Sequence, residues 1–209
     1  MASVQVPLEY GEFYHIYNRG INGCKLFLEN ENYEHFLHLY SKYISPVADT
    51  FAWVLMRNHF HFLIRIKSVE QLNLQGFQNL EGLKGTNRNF ANQQFANLFN
   101  AYTKAINKRY NRTGSLFEHP FRRIKIVSKD HLLYLIYYIH HNPIHHGFCK
   151  HFLEYPWSSY LSILSPDKTN LKREEVLKWF HDKAYFKAYH SKEQLEKYGE
   201  LQIKSNFDF

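Results

Sequence analysis

The sequence predicts a mixed α+β domain, with strands and helices in the order β-α-β-β-α-β-α. Three observations carry that reading. A strand pair breaks sharply at Arg57-Asn58, a strand before it leads into a helical stripe, and a long helix after it leads into a fourth strand. The first six elements have the order of the split βαβ, ferredoxin-like arrangement, in which the strands form one antiparallel sheet. Helices are expected on one face of that sheet, with the other face available. Residues 1–160 are expected to form this domain, and residues 161–209 a helical C-terminal extension.

The first strand is Glu12–Arg19, EFYHIYNR. Tyr14 and Ile16 share one face, and His15, Tyr17 and Arg19 share the other. Asn18-Arg19-Gly20 is a turn signal. Asn30–Tyr43 follows as a helix on the stripe Tyr33, Phe36, Leu37, Leu39 and Tyr40, capped by Glu29 or Asn30 and stopped at Ser45-Pro46. Trp53–Lys67, WVLMRNHFHFLIRIK, holds the strand pair, rich in β-branched and aromatic residues. In its second run Phe60, Phe62, Ile64 and Ile66 point to a core. His59, His61, Leu63, Arg65 and Lys67 point to a polar face.

Ser68–Asn89 contains Gly76, Gly82 and Gly85 and many Asn and Gln, and it reads as a loop. Phe90–Asn111 is a long helix on Phe95, Leu98, Phe99, Tyr102 and Ile106. Its end is crowded by Lys104, Lys108, Arg109 and Arg112, and Thr113-Gly114 breaks it. Phe121–Val127 is the fourth strand and carries Arg122, Arg123 and Lys125. Lys129-Asp130 opens a helix over His131–His141, which Asn142-Pro143 ends. Tyr155–Tyr160 is an aromatic segment expected to pack on the core. Lys172–Tyr198 reads as one or two amphipathic helices.

The chain has 209 residues and a formal charge of +7, with a pI near 9.2. An anionic partner suits that charge. Cys24 and Cys149 form neither a disulfide framework nor a CxxC site, which fits a reducing cytoplasm. Met1–Glu9 lacks a basic leader and an apolar core, and no apolar run reaches the length of a membrane span. A cytoplasmic protein without membrane contact is expected.

His59 and His61 are the first candidates for chemistry. Side chains two apart on a strand sit side by side, about 6.6 Å apart at the backbone, so two imidazoles can converge on one metal ion. Alone, such a pair reads equally as two ordinary strand histidines. On the last core helix, Tyr138 and Asn142 are four residues apart and share a face. A phenol has a pKa near about 10 and needs a cation nearby to ionise at neutral pH. A nucleophilic Tyr138 and a metal at the histidine pair therefore make chemical sense together. Zn²⁺ would also suit two imidazoles, but no third Cys or His stands near them in sequence.

Three motifs in order, Met56-Arg57-Asn58-His59-Phe60-His61, Tyr138-Ile139-His140-His141-Asn142-Pro143 and Tyr155-Pro156-Trp157-Ser158-Ser159-Tyr160, make the chain resemble the single-tyrosine HUH transposases. The REP-associated tyrosine transposases are the nearest group. Asn18-Arg19-Gly20 and Gly114-Ser115-Leu116-Phe117 also fit. The resemblance implies a ferredoxin-like endonuclease and strand transferase for single-stranded, hairpin-bearing DNA. In it, His59 and His61 hold a divalent ion, Mg²⁺ or Mn²⁺. Tyr138 attacks the scissile phosphate and keeps a 5′-phosphotyrosine. Asn142 stands where insertion-sequence relatives carry a Gln ligand; it reads either as a third ligand or as a helix-terminal residue.

Two departures touch the implied site. Arg57 replaces the family's usual Pro, and His145-His146 replaces the usual Arg-Ala. Arg19, Arg57, Arg65, Lys67, Arg122, Arg123 and Lys125 are expected DNA contacts, against the plainer role of keeping strands soluble. A homodimer sharing sites and a single working chain stay open. So do two rival functions: hairpin binding without cleavage, and a metal-dependent nuclease that uses water.

Overall fold

The structure is a computed structural model that describes residues 6–73 and 90–191. Four strands form one antiparallel sheet in the order β2-β3-β1-β4. They are β1 (Phe13–Arg19), β2 (Ala48–Met56), β3 (His59–Ile66) and β4 (Arg122–Ile126). Helices are α1 (Asn30–Tyr43), α2 (Val69–Asn73), α3 (Phe90–Arg109), α4 (Lys129–His145), α5 (Tyr160–Leu164), α6 (Arg173–Trp179) and α7 (Lys183–Ser191). The α+β, ferredoxin-like sheet is the one the element order predicts. α2 falls within the expected Ser68–Asn89 loop; from residue 74 that loop lies outside the described residues, as do residues 192–198 of the last expected helix.

One sheet face is built as the alternation requires. Tyr14, Ile16, Phe60, Phe62, Ile64 and Ile66 meet Phe36 and Tyr40 of α1 and Phe95, Leu98, Tyr102 and Ile106 of α3 in one buried cluster. Tyr102 belongs to this core, and its hydroxyl donates to the Leu26 carbonyl at 2.8 Å. Asn32 starts α1 by accepting from the Leu28 and Glu29 N–H groups.

The expectation of an available second face does not hold. Val54, Met56 and Leu63 pack there against Leu132, Leu135, Ile136 and Ile139 of α4. Tyr160, Ile163, Val176, Phe180 and Phe186 of the C-terminal segment extend the same cluster. A sheet with apolar residues on both faces has to be covered on both.

β2 starts at Ala48, ahead of the predicted Trp53, because its first residues are polar yet buried. Asp49 is held by Arg65 and Lys172, and Thr50 bonds Tyr40. A bulge between Thr50 and Ala52 puts both Phe51 and Ala52 on the second face, Phe51 against Phe13 and Trp179. The outer edge of β2 is covered by the chain itself. Leu55 N–H donates to Trp157 O, Ser159 N–H donates to Trp53 O, and Trp157 stacks on Tyr33. Tyr155–Tyr160 therefore packs as expected.

α4 runs one turn past its predicted end, with Pro143 inside it. Proline removes only one helical donor, and here the loss falls in the last turn. The stop is Gly147, in the left-handed region at φ 69°. Gly147 N–H donates to Ile144 O and Phe148 N–H to Pro143 O, the paired bonds of a Schellman cap. The extra turn sets Asn142 within regular helix, one turn beyond Tyr138.

Candidate active site

The site forms where the start of β3 meets the C-terminal half of α4. His59 and His61 point to the second sheet face and are buried against α4. Their rings lie 5.3 Å apart and nearly perpendicular, at 86°. Tyr138 is half-buried, with its ring 5.8 Å from that of His61, edge to face. Asn142 is fully buried, and its Oδ1 lies 3.3 Å from His59 Nε2. Four residues read as candidates from sequence are thus brought together by two elements.

The hydrogen bonds decide which nitrogen of His59 faces inward. Its Nδ1 lies 2.8 Å from Asn58 Oδ1. An amide oxygen only accepts, so Nδ1 carries the proton and Nε2 presents a lone pair. That lone pair meets the Asn142 oxygen, while Asn142 Nδ2 is buried with no hydrogen-bond partner. Two acceptors facing each other suit a shared cation. Atoms bound to one ion at about 2.0–2.3 Å and at right angles lie about 3 Å apart. His59 Nε2 and Asn142 Oδ1 are therefore spaced as two ligands of one divalent ion would be, with the His61 ring 5.3 Å from that of His59. No group of three or more His, Cys, Asp or Glu side chains that could hold a metal occurs among the described residues, so no carboxylate joins the histidines.

Burial keeps the imidazoles neutral. It brings His59 down to about 3, helped by His146 and Arg19 and opposed by the Asn142 oxygen, which would accept from the protonated ring. His61 is pushed well below the usual histidine range by burial first, then by His15, His59 and His146. A neutral ring is the form that binds a metal.

Other residues complete the surroundings, and their strand faces alone did not mark them. His15 Nε2 lies 2.9 Å from His61 Nδ1, and both rings are fully buried. Tyr17 pairs across the strands with His61 on one side and Arg122 on the other. His146 packs edge-on against His59 at 4.6 Å. His15 and Tyr17 share a strand face with Arg19 in the sequence. Their meeting with His61 depends on which strand lies next to β1, and no local pattern carries that.

The predicted basic residues divide. Arg19 stands opposite His59 in the β1–β3 register, and Arg122 opposite Tyr17. Both border the site and share Glu118, at 2.5 Å and 3.7 Å. Arg57 is exposed at the turn before His59. Arg123 lies on the other sheet face, bonded to Asn92 of α3. Arg65, Lys67 and Lys125 stand at the far end of the sheet; Arg65 is six residues along β3 from His59, roughly 20 Å. Arg65 pairs with Asp49 and Glu175, Lys67 donates to Ser45 O, and Lys125 pairs with Glu9 and Glu12. These three belong to the packing of the sheet's far end and not to this site.

The architecture is a ferredoxin-like antiparallel sheet with a histidine pair on one strand and a tyrosine on the helix across it. It is similar to a solved structure described as a REP-associated tyrosine transposase bound to a REP hairpin. The TM-score is 0.59 at 16% identity, over 79% of this chain and 87% of that one. That likeness is one of fold. No protein-family model and no curated protein sequence matches the chain. No helix among the described residues is long and apolar enough to cross a membrane.

Proposed function

We propose that this protein is a metal-dependent endonuclease and strand transferase for single-stranded DNA, acting through a covalent 5′-phosphotyrosine on Tyr138. The observation that carries the reading is the meeting of Tyr138 and Asn142, one turn apart on α4, with the buried His59–His61 pair of β3. The fold likeness to a transposase bound to a DNA hairpin supports it, and so does the net charge of +7.

In this mechanism Arg19 and Arg122 draw the phosphate backbone to the site and orient it. His59, His61 and Asn142 hold the divalent ion, Mg²⁺ or Mn²⁺. When bound, that ion supplies charge that polarises the phosphate and stabilises what develops on it. The Tyr138 oxygen attacks phosphorus, the bond from phosphorus to the 3′ oxygen breaks, the phenolic proton leaves and the 3′ oxygen gains one. The covalent link conserves the phosphoester bond, so a 3′-OH from another strand can reverse the step and complete transfer. The free thiols of Cys24 and Cys149 suit work in a cytoplasm.

A covalent-adduct assay tests this. The protein is incubated with hairpin oligonucleotides and Mg²⁺ or Mn²⁺, then denatured. An adduct that vanishes with chelator and in Tyr138→Phe is expected. Cleavage without adduct favours a water-using nuclease, and tight binding without cleavage a hairpin-binding protein.

A further inference from the structure

His15 carries a second feature of the site. It lies on β1 diagonally across from His61, whose direct partner is Tyr17. Diagonal neighbours are within reach of large side chains. The two histidine rings are 5.0 Å apart with planes 20° from parallel, and Tyr17 flanks both at 4.8 Å and 5.8 Å. His15 Nε2 and His61 Nδ1 meet at 2.9 Å with both side chains fully buried.

A histidine that ligates through one nitrogen is oriented by the bond its other nitrogen makes. For His59 that bond goes to Asn58 Oδ1. For His61 it joins Nδ1 to His15 Nε2 at 2.9 Å. We propose that His15 is a positioning residue for the metal site: its Nε2 accepts the His61 Nδ1 proton, which fixes the tautomer and turns His61 Nε2 toward Asn142 and the ion. The proposal rests on the metal reading given above. It also explains the choice of residue. A carboxylate would orient His61 equally well, but would place a buried negative charge where a phosphate must approach. A neutral imidazole orients without repelling it.

Two measurements test it. Mn²⁺ alone is titrated into the full chain and followed by electron paramagnetic resonance. His15→Phe is expected to weaken binding by about 10–100-fold, and His15→Gln, whose amide oxygen can still accept, to recover most of it, with both variants folded and His15→Phe the less stable because the His61 donor loses its acceptor. Long-range ¹H–¹⁵N correlation of the wild-type rings is expected to show the His61 proton on Nδ1 before any metal is added. Unchanged Mn²⁺ affinity in a folded His15→Phe, or a proton on His61 Nε2, overturns the proposal while His61→Ala still abolishes binding. Mn²⁺ binding that His59→Ala and His61→Ala both leave intact overturns the metal reading and the proposal with it. The ring measurement needs no variant, so it decides even where His15→Phe does not fold.

Discussion

Two buried histidine networks lie on either side of α4, and they end differently. In the first, Trp53 N–H donates to Ser159 Oγ, which bonds His140 Nε2; His140 Nδ1 meets His190 Nε2, and His190 Nδ1 donates to Phe186 O. The carbonyl at the end can only accept, so each proton along the chain is assigned in turn. The network is closed, with a partner for every ring nitrogen. The second runs from His15 to His61 and from Asn58 through His59 to Asn142. It ends with two acceptors facing each other and with Asn142 Nδ2 unsatisfied. Buried polar groups in native structures are mostly paired, so the closed network is accounted for by packing, and the open one leaves polar atoms that a bound water or ion would satisfy. Residues 140 and 142 differ by two positions, and the helix turns one toward α7 and the other toward β3.

The sharpest separation of the two networks comes from the nucleophile. Tyr138→Phe is expected to abolish adduct and cleavage by more than about a thousandfold, with hairpin affinity and melting temperature unchanged. Gel-shift and denaturing-gel assays on one preparation measure both. Next comes the open network. His59→Ala is expected to lower Mn²⁺ affinity by at least about tenfold with little loss of stability, read by titration and by urea unfolding. A variant that loses stability and keeps its metal would make this network structural as well.

The closed network should respond in reverse. His190→Phe leaves the His140 donor buried without an acceptor, at a cost of about 1–3 kcal/mol, while adduct yield per folded molecule stays the same. Acid should find this network too. Burial brings His190 down to about 3, below the unfolded value of about 6.5. Between those values the unfolded chain binds the proton and the folded one does not. The contribution is therefore complete above about pH 6.5 and is lost progressively as pH falls toward about 3. Urea midpoints across that window should fall less steeply in His190→Phe than in the wild type. The smallest effect separates the two ends of the sheet. Arg122→Ala should weaken hairpin binding several-fold in fluorescence anisotropy, and Lys125→Ala should leave it unchanged.

These contrasts mark where local pattern was informative. The alternation of Phe60, Phe62, Ile64 and Ile66 announced one core face, and the stripe from Phe95 to Ile106 announced the helix on it. Tyr138, Asn142, His59 and His61 were legible because each pair is close in sequence, at helix or strand spacing. The cover of the second face was not, because Leu63 among His59, His61 and Arg65 looked like one exception on a polar face. Its apolar partners come from elements beyond residue 130. Arg65 looked like a solvent-facing cation for the same reason, since Asp49 and Glu175 reach it only in the folded sheet. His15 required the strand order, which is a property of the whole chain.

The cover over β2 has a consequence for how copies of the protein can meet. A sheet usually exposes two open margins, and each invites another chain to add a strand. Here residues 157–159 already occupy one margin. The other is β4, only five residues long, and Arg122, Arg123 and Lys125 stand on it. Like charges in register discourage the stacking of one β4 on another. Among the described residues, strand-by-strand addition thus has one margin already occupied and the other kept short.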